Sequence, residues 1–232
     1  MHEWLTGLSW TAVGLGVASC LVVLRDLATG GAQHMWIMNV VWPVTALWSG
    51  PFGAWAYFRF GTRTSKRCLL QQEHQGEGGS RTRRQPFPVV VATGTSHCGS
   101  GCALGDIIAA LLFLAVPFSL FGRRLFGAWV YDFIAAFLLG IAFQYFTIKP
   151  MRRISSREAL WDALKADTLS LGAWQVGMYG WMAVVTFVFF HHELSPSSID
   201  FWFMMQLGMF VGFLTAYPVN WWLLKSGVKA AM

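Results

Sequence analysis

Six long apolar windows separated by polar segments dominate the pattern along the chain. They cover residues 4–24, 35–58, 103–121, 126–148, 171–190 and 201–224. Each is close to the 20 or so mostly apolar residues that a membrane-spanning helix needs. Pro and Gly inside the windows are acceptable, because neighbouring helices in a membrane can satisfy the backbone groups that they free. The pattern predicts an all-α, polytopic membrane helix bundle of about six transmembrane helices, in one domain of residues 1–232.

The composition supports a lipid environment. Of the 232 residues, 55% are hydrophobic and only 12% are charged, whereas soluble domains carry roughly 25% charged residues. A chain of this length has no room for a buried core that is so apolar. Much of its surface is therefore expected to face a lipid bilayer.

The basic residues predict an orientation. With six spans, Arg25, Arg123 and Arg124 fall on one side of the membrane, and the other fourteen of the 17 Lys and Arg residues fall on the opposite side. Cytoplasmic loops carry such an excess. We therefore expect both termini to be cytoplasmic, in the inner (plasma) membrane of a bacterium. Topology and attraction to anionic lipid explain the positive charge without a nucleic-acid partner.

Two polar segments lie between the windows. Residues 59–88 contain "EHQGEGGSRTRRQP", which cannot bury enough apolar area to offset its ordering entropy, and they predict a mobile cytoplasmic linker. Residues 155–170 combine apolar positions at helical spacing with a capping box formed by Ser155 and Glu158. This second segment predicts a short amphipathic helix on the cytoplasmic interface.

The stretch "SHCGSGCALGD" carries the candidate chemistry. Gly99 and Gly101 disfavour a helix by roughly 1 kcal/mol each, so we expect a turn there, with the helix established near Ala103. Such a turn at the cytoplasmic mouth of the third window would let His97, Cys98 and Cys102 converge. Thiolates and an imidazole suit Cu(I) or Zn(II).

Asp106 is one turn further along and would serve as an additional ligand, a nearby hydrogen-bonding group or a proton acceptor. Carboxylates within a membrane usually face a bundle interior or a water-filled cavity. Three other polar residues lie within the windows and need partners inside the bundle, namely Asn39, Asp132 and Asn220.

A second set of potential ligands gathers at the opposite face. The set comprises His34, Met35, Met38, His191, His192, Met204, Met205 and Met209. With Met178 and Met182 between the two faces, these side chains could form an outer relay of soft ligands for Cu(I). The alternative is ordinary packing, for which methionine is a common filler.

The best functional hypothesis is therefore binding, transport or delivery of a transition metal, copper or alternatively zinc, with a metal donor or acceptor protein as a partner. A quinone-linked thiol-disulfide oxidoreductase is the alternative that is an enzyme, and it predicts an aromatic-lined slot beside Cys98 and Cys102. A non-catalytic membrane partner or assembly subunit is a third possibility. Gly208 and Gly212 form a small-residue pair that could pack within one chain or in a homo-oligomer.

Three segments together resemble a known family. They are "MNVVWPVTALWSGPFGAWAYF", "SHCGSGCALGDIIA" and "TAYPVNWWLLKSGVKAAM". They are similar to a bacterial integral membrane protein family catalogued as a domain of unknown function. The resemblance implies that His97, Cys98, Cys102 and Asp106 belong to a His-Cys-Gly-x-Gly-Cys-x-x-Gly-Asp signature, and it implies no activity.

Overall fold

The computed structural model describes residues 3–68, 70, 85–152 and 155–229, and their regular structure is helical. The α-helices are α1 (Glu3–Asp26), α2 (Met38–Ser49), α3 (Pro51–Phe60), α4 (Phe87–Ala115), α5 (Arg124–Arg152), α6 (Ser156–Val184) and α7 (Ile199–Lys225). Short helical turns follow α1, α3 and α6, at Leu27–Gly31, Gly61–Thr64 and Val185–Phe189. The predicted all-α fold is confirmed.

Five helical stretches of the described residues are long and apolar enough to cross a membrane, and the sequence had suggested six. They are Glu3–Gly31, Phe87–Ala115, Arg124–Lys149, Ser156–Phe189 and Ile199–Lys225. Large apolar side chains on their outer faces are exposed, for example Val176 at 72% and Leu214 at 69%. This exposure fits a bundle surrounded by lipid.

The second predicted span is a helical hairpin. The chain reverses at Gly50, whose φ of +61° is in the left-handed region that favours glycine. α3 then runs back along α2, and the rings of Trp42 and Tyr57 lie 5.6 Å apart. At its base, the amide of His34 donates to the Thr64 carbonyl at 3.1 Å. The two helices have 12 and 10 residues, about 18 and 15 Å, whereas a bilayer core is about 30 Å thick.

The hairpin tip reaches the middle of the bundle. The Trp48 ring meets Trp174 of α6 at 5.8 Å and Phe210 of α7 at 5.2 Å. The chain reversal leaves carbonyl groups at the end of α2 without helical partners. One of them, the carbonyl of Leu47, accepts a hydrogen bond from Gln206 Nε2 at 3.0 Å. An irregular backbone at membrane depth is tolerated because protein groups satisfy it.

The two ends of the described chain lie at opposite ends of the bundle. Near the start of α1, Ser9 Oγ donates to Asp200 Oδ1 at the start of α7, at 2.7 Å. Beyond the end of α7, Lys229 Nζ donates to the Gly94 carbonyl in the first turns of α4, at 3.3 Å. We call these the N-terminal end and the C-terminal end of the bundle. The hairpin enters and leaves at the same end, which leaves five spans where the expectation of termini on one side assumed six; the side of the membrane on which each terminus lies stays a prediction.

The segment predicted as an interfacial helix begins with the expected capping box. The Glu158 amide donates to Ser155 Oγ at 3.3 Å, and the Ser155 amide donates to the Glu158 carboxylate at 3.1 Å. The helix then continues without a break into the span, as the first turns of α6. Of the predicted 59–88 linker, residues 69 and 71–84 lie outside the described residues.

Glycines let α4 pack closely against α5 and α6, and the helix continues where the sequence predicted a turn. A Cβ atom at Gly105 would lie 2.5 Å from the Ala136 amide nitrogen of α5, and one at Gly101 would lie 3.2 Å from the Gly140 Cα. A Cβ at Gly99 would collide with the Trp174 ring of α6. α4 is therefore continuous through Gly99–Gly101, and the expectation of a turn is wrong. Small residues at such contacts allow helices to pack in lipid.

Replacing Gly105 with alanine should lower the unfolding midpoint of the purified protein in detergent, because the new methyl group forces α4 away from the α5 backbone. The matched control is Gly94→Ala in the same helix, where no atom lies within 4 Å of the added Cβ. That variant should keep or slightly raise the midpoint, since alanine favours a helix over glycine by about 1 kcal/mol. Circular dichroism at 222 nm measures both. Equal midpoints for the two variants would contradict the close contact.

Short epitope tags placed at each terminus test the arrangement of the ends. In sealed membrane vesicles of one orientation, an impermeant protease should remove one tag and spare the other. Cleavage of both tags, or protection of both, would refute the hairpin geometry. Vesicles opened with detergent are the control, because the protease should cleave both tags there.

Candidate functional site

The predicted candidate residues of α4 lie deep in the bundle, away from the membrane mouth that the sequence suggested. Cys98, Cys102 and Asp106 are four residues apart along one continuous helix, and so they share one face. They are 1%, 0% and 4% exposed. The glycine contacts described above hold this face against α5 and α6.

Cys98 is the centre of a polar cluster drawn from several helices. Its Sγ accepts from Lys229 Nζ at 3.1 Å, from Ser170 Oγ at 3.2 Å and from Gln144 Nε2 at 3.4 Å. The thiol also faces Asp167 Oδ1 at 3.6 Å. Together with Asn220, described next, these residues are called the Cys98 network. All are at most 3% exposed.

Asn220 and Ser170 connect the thiol to Lys229 by a second route. Asn220 Nδ2 donates to Ser170 Oγ at 2.7 Å and to the Ala216 carbonyl at 3.0 Å. Asn220 Oδ1 accepts from Lys229 Nζ at 2.7 Å. Cys98, Ser170, Asn220 and Lys229 therefore form a closed ring of hydrogen bonds. Asn220 thus has its hydrogen-bond partners inside the bundle.

Lys229 enters the network from the C-terminal tail. Gly227 has a φ of +73°, which turns the chain back after α7, and the Lys229 amide then donates to the Leu223 carbonyl at 3.1 Å. Its ammonium group binds three acceptors: the Gly94 carbonyl, Cys98 Sγ and Asn220 Oδ1. A buried ammonium group needs such partners because its desolvation is costly. Sequence reasoning missed this residue.

Asp167 is the acidic member of the network. It is fully buried, and its Oδ2 atom lies against Gly140 without a hydrogen-bond partner among the described residues. Its other oxygen faces the Cys98 thiol. A buried carboxyl group with one unsatisfied oxygen is free to accept a proton, water or another donor.

His97 faces away from the thiols. Its Nε2 lies 3.3 Å from Thr147 Oγ1, and its ring packs on Phe143 of α5 at 5.7 Å. One residue along a helix is a rotation of about 100°, which separates the imidazole from the face of Cys98. Among the described residues, no three His, Cys, Asp or Glu side chains form a group that could hold a metal. The predicted metal site at His97, Cys98, Cys102 and Asp106 is therefore not assembled.

Asp106 and Asp132 lie nearer the N-terminal end of the bundle. Neither carboxyl oxygen of Asp106 has a hydrogen-bond partner among the described residues, and the group is close enough to Asp132 for electrostatic interaction. Asp132 borders a cavity of about 160 Å³ between α4, α5, α6 and α7. Arg124 and Glu193 line the same cavity. Cys102, between the two polar regions, packs in the apolar core cluster with Trp174.

The structure divides the predicted outer relay between both ends of the bundle. His34, Met35 and Met38 belong to the base of the hairpin, at the C-terminal end. His191 and His192 are exposed after α6, at the N-terminal end. The remaining three, Met204, Met205 and Met209, are buried in α7. Asn39 has a structural partner at the hairpin base, since its Oδ1 accepts from the Gln33 amide at 2.8 Å.

An aromatic-lined slot exists, but it does not border the thiols. The slot lies between the hairpin, α4 and α7 and has a volume of about 290 Å³. Its α4 wall includes Thr93 and Ser96, while its aromatic walls include Trp48 and Phe210. Neither Cys98 nor Cys102 lines it. The quinone-linked alternative predicted a slot beside the thiols, and this placement does not favour it.

The ring of hydrogen bonds can be tested by a double-variant cycle. Asn220→Leu should lower the unfolding midpoint in detergent, because the ammonium group of Lys229 loses its shortest hydrogen bond. The loss should correspond to about 1–3 kcal/mol, the cost of a buried polar group left without a partner. Adding Lys229→Met should recover a large part of it. The control is Lys225→Met, at an exposed position on α7. Additive effects of Asn220→Leu and Lys229→Met on stability would disprove the contact between Asn220 and Lys229.

Comparisons with known proteins identify a family and supply no activity. No curated protein and no solved structure matches the chain. A family match covers residues 89–229, which include the whole Cys98 network, while α1 and the hairpin lie outside it. The match does not test the predicted signature, which stays a prediction. The chain belongs to the family described as a domain of unknown function, DUF4396.

Proposed function

We propose that this membrane protein conducts protons through the interior of its helix bundle. The observation that carries the proposal is a column of ionisable side chains beside the inward face of α4, of which Asp106, Asp167 and Lys229 are buried and Asp132 is half-buried. Asp132 and Asp106 stand at one end, and Asp167 and Lys229 stand at the other. Ionisable residues inside a membrane are costly, and they mark proton relays and ion pathways.

The length of the column is comparable to the thickness of a bilayer core. The Lys229 ammonium group contacts Gly94, and the cavity that holds Asp132 is bordered by Ala110. Sixteen residues of helix separate Gly94 from Ala110, a rise of about 24 Å at 1.5 Å per residue. The hydrocarbon core of a bilayer is about 30 Å thick. Polar groups therefore accompany α4 across most of that depth.

The spacing within the column fits short proton transfers with water between the groups. Cys98, Cys102 and Asp106 follow one another at single helical turns, each a rise of about 6 Å. The two unsatisfied oxygens of Asp106 and the one of Asp167 leave acceptor positions for water. Buried water typically binds to such groups. The Cys102 thiol lies between the two carboxyl groups as a weak intermediate donor.

Basic residues support an orientation for this column. Among the described residues, Arg123 and Arg124 are the Lys or Arg side chains at the N-terminal end of the bundle, and the others lie toward the C-terminal end. By the positive-inside rule, the C-terminal end faces the cytoplasm. In the inner membrane of a bacterium, the N-terminus would then face outward, and the cavity beside Asp132 would open to the outside.

The contacts of Cys98 favour proton transfer over metal binding at the Cys98 network. An ammonium group within 3.1 Å of Sγ repels a metal cation, and the His97 imidazole faces α5. Copper or zinc binding at His97, Cys98, Cys102 and Asp106 stays a prediction of the sequence. A metal donor or acceptor partner protein and a homo-oligomer also stay predictions. Elemental analysis of the purified protein beside a Cys98→Ser, Cys102→Ser variant measures any metal bound there.

Reconstitution into liposomes that contain a pH-sensitive dye tests the proposal. A potassium gradient with valinomycin sets an inside-negative potential, and the wild-type protein should then acidify the lumen faster than empty liposomes do. Asp106→Asn and Asp167→Asn should each slow this flux at least tenfold, because an amide cannot pass on a proton as a carboxyl group does.

Asp200→Asn is the matched control, since Asp200 lies outside the column and an amide can still accept the hydrogen bond of Ser9. Its flux should stay near that of the wild type. Thermal midpoints in detergent establish that each variant is folded. Wild-type flux equal to that of empty liposomes, or unchanged flux in both folded column variants, would end the proposal.

A further inference from the structure

Methionine side chains gather where α6 meets α7. Five of them are buried in one apolar cluster: Met178, Met182, Met204, Met205 and Met209. On each helix two of them are four residues apart, which places them one above the other on a single face. The faces meet because Gly208 lies against Trp181 and Met178, and Gly212 lies against Trp174. The small-residue pair of α7 thus serves packing within the chain.

Three of the five methionines border the cavity beside Asp132. Met178 and Met182 contribute from α6, and Met205 contributes from α7. Met204 and Met209 are equally buried but do not line it. A methionine that acts only as a packing filler is expected to fill the space beside it. Here thioethers from two helices border about 160 Å³ of space that packing leaves open.

The lining of the cavity also has the charges that a cation would meet. Glu193 and Asp132 contribute carboxyl groups, and Arg124 contributes one guanidinium group. Ser195 adds a hydroxyl group to the same wall. Acidic groups at the mouth of a low-dielectric cleft raise the local concentration of cations. The polar residues and the three methionines line one cavity.

Thioethers are soft, uncharged ligands. Soft sulfur ligands select Cu(I), whereas carboxylate and carbonyl groups suit harder ions such as Mg²⁺ and Ca²⁺. Ag(I) has the same charge and the same filled d shell as Cu(I). A wall of three thioethers therefore discriminates by donor softness, and a nearby carboxyl group can balance the single charge.

We propose that the cavity lined by Met178, Met182 and Met205 binds a soft monovalent metal ion, Cu(I) or Ag(I), that enters from the N-terminal end of the bundle. The site is separate from the Cys98 network and uses none of its residues. It rests on the cavity and its thioethers and does not depend on proton flux, and so either proposal can fail alone.

The first test is silver binding by the full chain in detergent. Titration with AgNO₃ in chloride-free buffer, followed by dialysis and elemental analysis, gives the number of ions retained per chain. The four cysteines are the same in every variant, so any silver that they bind cancels in the comparison. The Met178→Leu, Met182→Leu, Met205→Leu variant should retain one silver ion fewer than the wild type. Leucine keeps nearly the same volume, which protects the packing.

The matched control is the Met204→Leu, Met209→Leu variant, which changes two buried methionines of the same cluster that do not border the cavity. It should retain as many silver ions as the wild type. Equal retention by wild type and the triple variant would overturn the proposal, as would an equal loss in the control.

A second readout on the wild-type protein covers the case in which the triple variant does not fold. With methionine labelled at its methyl carbon, silver should shift the resonances of Met178, Met182 and Met205. Those of Met204 and Met209 should move much less. Binding of silver with no shift at the three cavity methionines refutes the site, whatever the variants do.

Discussion

Polar groups inside a helix bundle are costly to bury, and most of the hydrogen bonds of the Cys98 network come from other parts of the chain. The ammonium group of Lys229 is the most demanding case, because it is charged and only 3% exposed. Its acceptors come from α4 and α7, and the same acceptors reach α6 through Ser170. One cation thereby joins helices that are far apart in sequence. The position of Cys98 in the bundle follows from that arrangement.

The same constraint shapes the backbone. A chain reversal at Gly50 leaves carbonyl groups that lipid cannot satisfy, and Gln206 reaches across from α7 to Leu47 to satisfy one of them. That carbonyl group faces α7, whereas Phe52, just after the reversal, is 63% exposed. The reversal also changes the count of crossings from six to five. A chain reversal at one glycine thus places the two ends of the described chain at opposite ends of the bundle.

The apolar length of the windows was enough to predict the all-α bundle, and the spacing of Ser155 and Glu158 was enough to predict the capping box. Both features depend on residues close together in sequence. The continuity of α4 could not be predicted in this way. Local propensity disfavours a helix through Gly99 and Gly101, whereas contacts with α5 and α6 need glycine there. The direction of His97 was missed for a related reason: neighbours in sequence point to different helices. Contacts with residues distant in sequence determine both the continuity of α4 and the direction of the His97 side chain.

The network members that the sequence did not reveal are informative as well. Asp167 belongs to the segment that was predicted as an interfacial helix, yet it lies on the buried face of α6 with small residues such as Ala163 and Ala166. That stripe of alanines was the available signal. Lys229 lies four residues beyond α7 and resembles any basic residue of a cytoplasmic tail. Only the turn at Gly227 brings it inside.

The tail contact has a practical consequence for work with this protein. A purification handle, a fluorescent reporter or a proteolytic nick just after Lys229 lies next to a side chain that is buried against α4 at the C-terminal end of the bundle. Such manipulations are usually treated as harmless at a terminus. In this molecule a change just after Lys229 lies beside a buried member of the Cys98 network.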